Sequence, residues 1–160
     1  MHLGPPRYEK ESEMKILLAT DGSTFSERAV DGVASRSWPA GSEIKVLYVV
    51  HSPIPDVPDP LLVLYAGRMQ MLEHERKQGK TTVEQAAARL RTGEGRRSLE
   101  ITTEVLEGSP KELIVDEAER WGADLIVVGS HGRGAAGRFF LGSVSLAVAT
   151  HAPCSVEIVR

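Results

Sequence analysis

The sequence predicts an α/β fold: an open, five-stranded parallel sheet with helices on both faces. Two observations carry this. Strand-like and helix-like segments alternate along the 160 residues in the order βαβαβαβαβ, with no internal repeat. The first and fourth strand segments, 14–20 (MKILLAT) and 124–128 (DLIVV), are short continuous apolar runs, the pattern of strands covered on both faces.

The elements follow in order. Residues 1–13 are mostly polar and carry Pro5 and Pro6, so a flexible N-terminal tail is expected ahead of a single domain at 14–160. After the first strand, Asp21-Gly22-Ser23 reads as a turn. Thr24 with Glu27 predicts a capping box. Phe25, Ala29, Val30, Val33 and Ala34 form a helical stripe that Trp38-Pro39 stops. Residues 43–50 (EIKVLYVV) form the second strand. The next ten residues, 51–60, hold four prolines and predict an irregular loop. Leu62, Tyr65, Met69 and Leu72, then Val83, Ala86, Ala87 and Leu90, have helical spacing that weakens near Arg76 and Gly79. One long helix and two shorter ones both fit it. Residues 93–98 are a polar turn, and 99–106 (LEITTEVL) the third strand. Ser109-Pro110-Lys111-Glu112 combines a capping box with proline at the first helical position. Leu113, Ile114, Ala118 and Trp121 face inward from that helix, and Gly122 ends it. A glycine-rich loop at 129–141 follows the fourth strand. A fourth helix is expected at 143–150 and a last strand at 154–159.

Composition narrows the function classes. The net charge is −3, with 41% apolar and 26% charged residues, which gives no general attraction to nucleic acid or to an anionic membrane. No run approaches the roughly 20 apolar residues of a membrane span. Cys154 is the sole cysteine, so no internal disulfide forms, and no Cys/His cluster has zinc spacing. A reducing compartment, the cytoplasm, is the expected setting. Cys154 itself reads as packing in an apolar strand.

The most informative segment is Gly129-Ser130-His131-Gly132, nine residues, then Gly142-Ser143. Its physical logic is anion binding. A glycine ending a buried strand allows close approach, loop N–H groups can converge on phosphate oxygens, and a helix opening at Gly142 presents unpaired N–H groups and a favourable dipole. Ser143 and Ser145 could add hydroxyl donors, with Val144 between them. Arg133 and Arg138 could neutralise phosphate or remain solvated, and Gly134-Ala135-Ala136-Gly137 suggests a loop able to move. His131 has no partner carboxylate or cysteine at ligand spacing, so its backbone is expected to line the phosphate path. At the first strand's end, Ala19-Thr20-Asp21 lies where ligands cross a doubly wound sheet. An exposed carboxylate there can accept ribose hydroxyls; Asp21 can also close an Asx-turn on its own backbone. The P-loop signature is absent. Gly132-x-Gly134-x-x-Gly137 matches a dinucleotide fingerprint in letters only, being late in the chain and not followed by a helix at the right place.

Gly129, Gly132, Gly142 and Ser143 reproduce the G-2x-G-9x-G-(S/T) pattern of the ATP-binding universal stress proteins. The chain from Lys15 to Arg160 resembles that family through ILLATDGS, YVVH, GADLIVVGSHGRG and PCSVEIV. The resemblance implies strand order 3-2-1-4-5 in a Rossmann-like, adenine nucleotide alpha hydrolase-like sheet. It also implies ATP as ligand, ribose on Asp21, adenine against the main chain of Val49, and a homodimer that pairs the last strands. The last strand, short and apolar at a sheet edge, gives pairing a physical motive. Because the loop supplies few cations, Mg2+ is expected with the phosphates. Two other readings stay open: a slow ATPase or phosphotransferase using Asp21 and His131, and a dimeric interaction module without nucleotide.

Overall fold

The computed structural model describes residues 12–52, 62–92, 99–133 and 141–160. The expected tail up to residue 11, most of the proline-rich loop, the turn at 93–98, and Gly134–Gly137 with Arg138 lie outside the described residues. Nine elements alternate: β1 (Lys15–Ala19), α1 (Thr24–Ala34), β2 (Glu43–His51), α2 (Leu62–Arg91), β3 (Glu100–Gly108), α3 (Pro110–Trp121), β4 (Leu125–Gly129), α4 (Ser143–His151) and β5 (Ser155–Val159). The five strands form one sheet in the order β3-β2-β1-β4-β5, and every pairing is parallel.

The apolar runs are explained by two cores. In β1, Ile16 and Leu18 face one side and Leu17 and Ala19 the other, and all four are buried. Ile16 and Leu18 join Val46, Tyr48 and Val50 of β2 against Val30 and Val33 of α1 and Val83 and Leu90 of α2. Leu17 joins Leu47, Ile126 and Val128 against Ile114 and Ala118 of α3 and Val148 of α4. Because β1 lies between β2 and β4, the winding direction reverses at the C-terminal ends of β1 and β4, where doubly wound sheets open a crevice.

The local signals hold with informative exceptions. The cap of α1 is Ser23, one residue before the expected Thr24. Gly22 has φ 75°, and Asp21 Oδ1 accepts the Ser23 N–H at 3.0 Å. That turn leaves Ser23 extended, its Oγ accepting from the Ser26 N–H, while Thr24 is already helical. Ser109 is the N-cap of α3 and Pro110 opens the helix as expected, but the Ser109 side chain makes no capping bond. Gly122 ends α3 in the left-handed conformation. Strand β2 runs through His51 and β3 through Gly108, so both are longer than the apolar pattern alone suggests. Helix α2 is one continuous element of 30 residues. Gly79 does not break it: a Cβ there would lie 2.6 Å from Cδ1 of Tyr48, so this glycine lets the helix lie on β2.

A buried charge cluster was not expected. Glu117 of α3 is 3% exposed and accepts from Lys45 Nζ of β2 at 2.7 Å and from Arg120. Burial alone would raise its pKa, but hydrogen bonds and charge from Lys45 and Arg120 prevail and hold the carboxyl below the usual range. The cluster pins α3, whose first turn forms part of the crevice, to the sheet.

Candidate functional site

The crevice at the ends of β1, β2 and β4 holds a cavity of about 490 Å³. That is within the range of small-ligand pockets. Twelve of the thirteen residues singled out from the sequence line it: Ala19, Thr20, Asp21, Val49, Gly129, His131, Gly132, Arg133, Gly142, Ser143, Val144 and Ser145. Segments more than 100 residues apart in sequence therefore converge on one space.

Its floor is apolar. Ala19, Val49 and Val128 lie at or near the C-terminal ends of three neighbouring strands, and Ile114 and Pro110 close the side from α3. Val49 also offers main-chain groups. In a parallel ladder a residue's N–H and C=O point to the same neighbouring strand, and alternate residues point the other way. The Leu47 carbonyl accepts the Thr20 N–H at 2.9 Å, so Leu47 and Val49 both turn toward β1. Since β1 ends at Ala19, no backbone group among the described residues meets Val49 from that side.

Asp21 stands at the rim. Its Oδ1 accepts the Ser23 N–H, the anticipated Asx-turn, and its Oδ2 accepts the Arg133 N–H at 3.2 Å. A carboxylate has about four acceptor positions, so two remain. Beneath it, Thr20 Oγ1 donates to Ser26 Oγ at 3.1 Å, and Ser26 Oγ donates to the Ser23 carbonyl at 3.0 Å. Ser23 Oγ donates to the His131 carbonyl at 3.3 Å, joining the β1 turn to the loop after β4.

The glycines do more packing than their motif suggests. A Cβ at Gly129 would lie 2.7 Å from the backbone of Phe25 and Ser26, so this glycine lets β4 end against the first turn of α1. A Cβ at Gly132 would lie 2.8 Å from Asp21 Oδ2, so Gly132 makes room for the Asp21 carboxylate. Gly142 is the N-cap of α4 and donates its N–H to the Ser130 carbonyl at 2.8 Å. Ser145 Oγ donates to the Ser130 and Gly142 carbonyls at 2.9 and 3.0 Å, so its hydroxyl hydrogen is committed inside the protein, contrary to the donor role expected of it. The first-turn N–H groups of Ser143, Val144 and Ser145 have no helical carbonyl to meet, and the Ser143 side chain is exposed.

Ser130, the thirteenth residue, is fully buried behind the cavity wall, where its N–H donates to the Val159 carbonyl at 2.7 Å. It ties the loop to β5. Its Oγ sits 3.0 Å from His131 Nδ1, and the His131 ring packs 5.0 Å from that of Phe25. His131 Nε2 is buried and has no hydrogen-bond partner among the described residues.

The sequence reading missed Tyr48, His51 and Glu75, which line the side of the cavity toward α2. Burial, with Glu75 and Asp21 nearby, pushes the Tyr48 phenol above its ordinary pKa, and Arg133 opposes them. Arg133 is exposed and lines the cavity, and it makes two contacts that the sequence did not suggest. Its Nε donates to the Asp21 carbonyl at 2.8 Å, and its guanidinium lies 5.8 Å from the centre of the Tyr48 ring.

The Universal stress protein family matches residues 14–160. The chain belongs to the universal stress protein family. A Thermus aquaticus relative, described as the universal stress protein in the QAH/OAS sulfhydrylase 3′ region, is 35% identical over 146 residues, spanning 91% of this chain and 97% of the relative. The universal stress protein UspA from Lactobacillus plantarum superposes with a TM-score of 0.73 at 27% identity, covering 92% of this chain and 97% of that one. A universal stress protein solved in complex with cAMP has a TM-score of 0.56 at 25% identity, covering 92% of this chain and 96% of that one. Among the described residues of this universal stress protein, no helix is long and apolar enough to cross a membrane.

Proposed function

We propose that this universal stress protein binds ATP in the crevice and acts as a nucleotide-responsive homodimer of the cytoplasm, without turnover as its task. One observation carries the reading: three sets of available hydrogen-bonding groups line a single cavity. They are the main chain of Val49, the spare acceptor positions of Asp21, and the first-turn amides of α4. Adenine lies on the apolar floor with its polar edge toward Val49. The ribose hydroxyls donate to Asp21. The phosphates meet the amides at Gly132 and from Ser143 to Ser145, where the helix dipole favours negative charge. Arg133 supplies a cation within reach of the same space.

The residues present fit the nucleotide in shape and chemistry: the floor suits a planar base, and the cradle presents donors without an opposing acidic residue at the α4 end. The relative solved with cAMP supports an adenine nucleotide in this fold. Mg2+ would be held chiefly by the phosphates and water. Among the described residues no group of three His, Cys, Asp or Glu side chains is placed to bind a metal, and the exposed Ser143 hydroxyl at the mouth of α4 would offer a neutral ligand.

The dimer would form through β5. This strand pairs only with β4 among the described residues, and Leu146 of the neighbouring α4 is 55% exposed. An open edge beside an exposed apolar side chain favours a second copy. Sedimentation at micromolar concentration is expected to give twice the chain mass; a monomer removes the dimer from the proposal.

Mass spectrometry of the purified protein, followed by calorimetry with ATP, AMP and cAMP in the presence of Mg2+, tests the ligand. Saturable binding with ATP tightest is expected. No binding heat with any adenine nucleotide, and none copurifying, contradicts it.

A further inference from the structure

We infer that Arg133 is a positioning residue for the ribose: its side chain keeps the Asp21 carboxylate oriented for a vicinal diol, and so makes the site prefer nucleotides that carry the 2′ and 3′ hydroxyls. The inference rests on the nucleotide reading above and assigns its ribose selectivity to a residue outside the glycine motif.

Three hydrogen bonds hold Asp21. Its Oδ1 accepts the Ser23 N–H at 3.0 Å, its Oδ2 accepts the Arg133 N–H at 3.2 Å, and its carbonyl accepts from Arg133 Nε at 2.8 Å. Two of the three thus come from one residue 112 positions away. One N–H on each carboxylate oxygen leaves one acceptor position on each. The adjacent hydroxyls of a ribose can donate one to each oxygen, provided the carboxylate plane does not turn. The Ser23 bond alone would let it turn; the Arg133 N–H on the second oxygen removes that freedom.

The side chain of Arg133 is what keeps its N–H there. Arg133 is exposed, so packing does little to fix its backbone. The bond from Nε to the Asp21 carbonyl ties the residue to the turn, and a charged donor makes that bond a strong one. The guanidinium lies along the turn, where a Cβ on Gly22 would be 3.6 Å from Nη2, and 5.8 Å from the centre of the Tyr48 ring. Tyr48 gives it a firm backing, being 3% exposed and pressed against Gly79 of α2. Arg133 therefore acts on the ribose through Asp21, whatever charge it also lends to the phosphates.

The test compares ATP with 2′,3′-dideoxy-ATP by calorimetry in Mg2+, on the wild type, Arg133→Met and Arg133→Gln, with thermal melting as a check of folding. A phosphate contact weakens both nucleotides alike and cancels in their ratio. The wild type is expected to bind ATP roughly ten-fold tighter than the dideoxy nucleotide, the scale of hydrogen bonds to a charged group. In Arg133→Met the gap should narrow to about three-fold or less. Arg133→Gln keeps an amide donor at the place of Nε without the charge, and should keep most of the gap even if both ligands bind more weakly. Hydrogen exchange without ligand gives a second readout: the amide at position 133 should lose protection in Arg133→Met and keep it in Arg133→Gln, with the Ser23 amide unchanged in both. A gap that survives in Arg133→Met, or that Arg133→Gln loses equally, overturns the inference, as does exchange at position 133 that Arg133→Met leaves unaltered. Equal affinity of the wild type for the two nucleotides overturns it as well, while nucleotide binding stands. If the wild type binds neither, the nucleotide reading itself fails.

Discussion

The two walls of the cavity are built on opposite principles. The wall from β1 is internally satisfied: the Asp21 carboxylate already accepts two backbone N–H groups, and Thr20, Ser26 and Ser23 form a hydroxyl chain beneath it. The wall from α4 has its buried side satisfied and its open side bare. Ser145 and Gly142 are bonded back to Ser130, while the first-turn amides point away from any helical carbonyl. The difference teaches that one wall can hold its shape without a ligand while the other offers fixed, unmatched donors. Preorganised donors of this kind need no rearrangement when an anion arrives.

Substitutions at like residues on the two walls can break that contrast. The largest effect is expected from Gly129→Ala. Its Cβ would strike the backbone of Phe25 and Ser26, which cannot turn aside, so a loss of about 3 kcal/mol in urea unfolding is predicted. Ser145→Ala comes next, at about 1–2 kcal/mol by the same measurement, because a buried hydroxyl that braces two carbonyls is lost. Gly132→Ala should leave unfolding nearly unchanged, since its Cβ meets only the end of the Asp21 side chain. Displacing that carboxylate should weaken ATP roughly ten-fold in calorimetry, or about 1.4 kcal/mol. Ser143→Ala, exposed at the mouth of α4, should cost about 1 kcal/mol of ATP affinity and nothing in stability. Equal stability losses in Ser143→Ala and Ser145→Ala would erase the distinction between the bare and the bonded side of α4.

Much of this was legible in the sequence, for physical reasons that can be named. Lys15–Ala19 and Leu125–Gly129 lie in runs too apolar to face water on either side, and so mark the middle of a parallel sheet. Proline at position 110 and glycine at 122 bound α3 through backbone constraints that act locally. That Asp21, Gly132 and Ser143 line one cavity could be expected because their positions are tied to a strand end and a helix start. What stayed hidden depends on contacts between distant segments. Ser23 and Thr24 can both cap a helix, and only the turn made by Asp21 and Gly22 decides for Ser23. Tyr48 reads as one more core residue of β2, because its place in the cavity depends on Gly79, 31 residues later in another element. The Lys45–Glu117 pair spans 72 residues. A faint signal for it existed: Lys45 alternates with buried positions of β2, and Glu117 sits on the inward stripe between Ile114 and Ala118.

Amide chemical shifts during an ATP titration of the labelled protein test the central claim most directly. Val49, Gly132, Ser143 and Val144 should move together along one binding curve, with Ser130 and residues of β3 nearly still. Shifts confined to one of these segments, or different affinities at Val49 and at Ser143, would contradict a single nucleotide spanning the crevice.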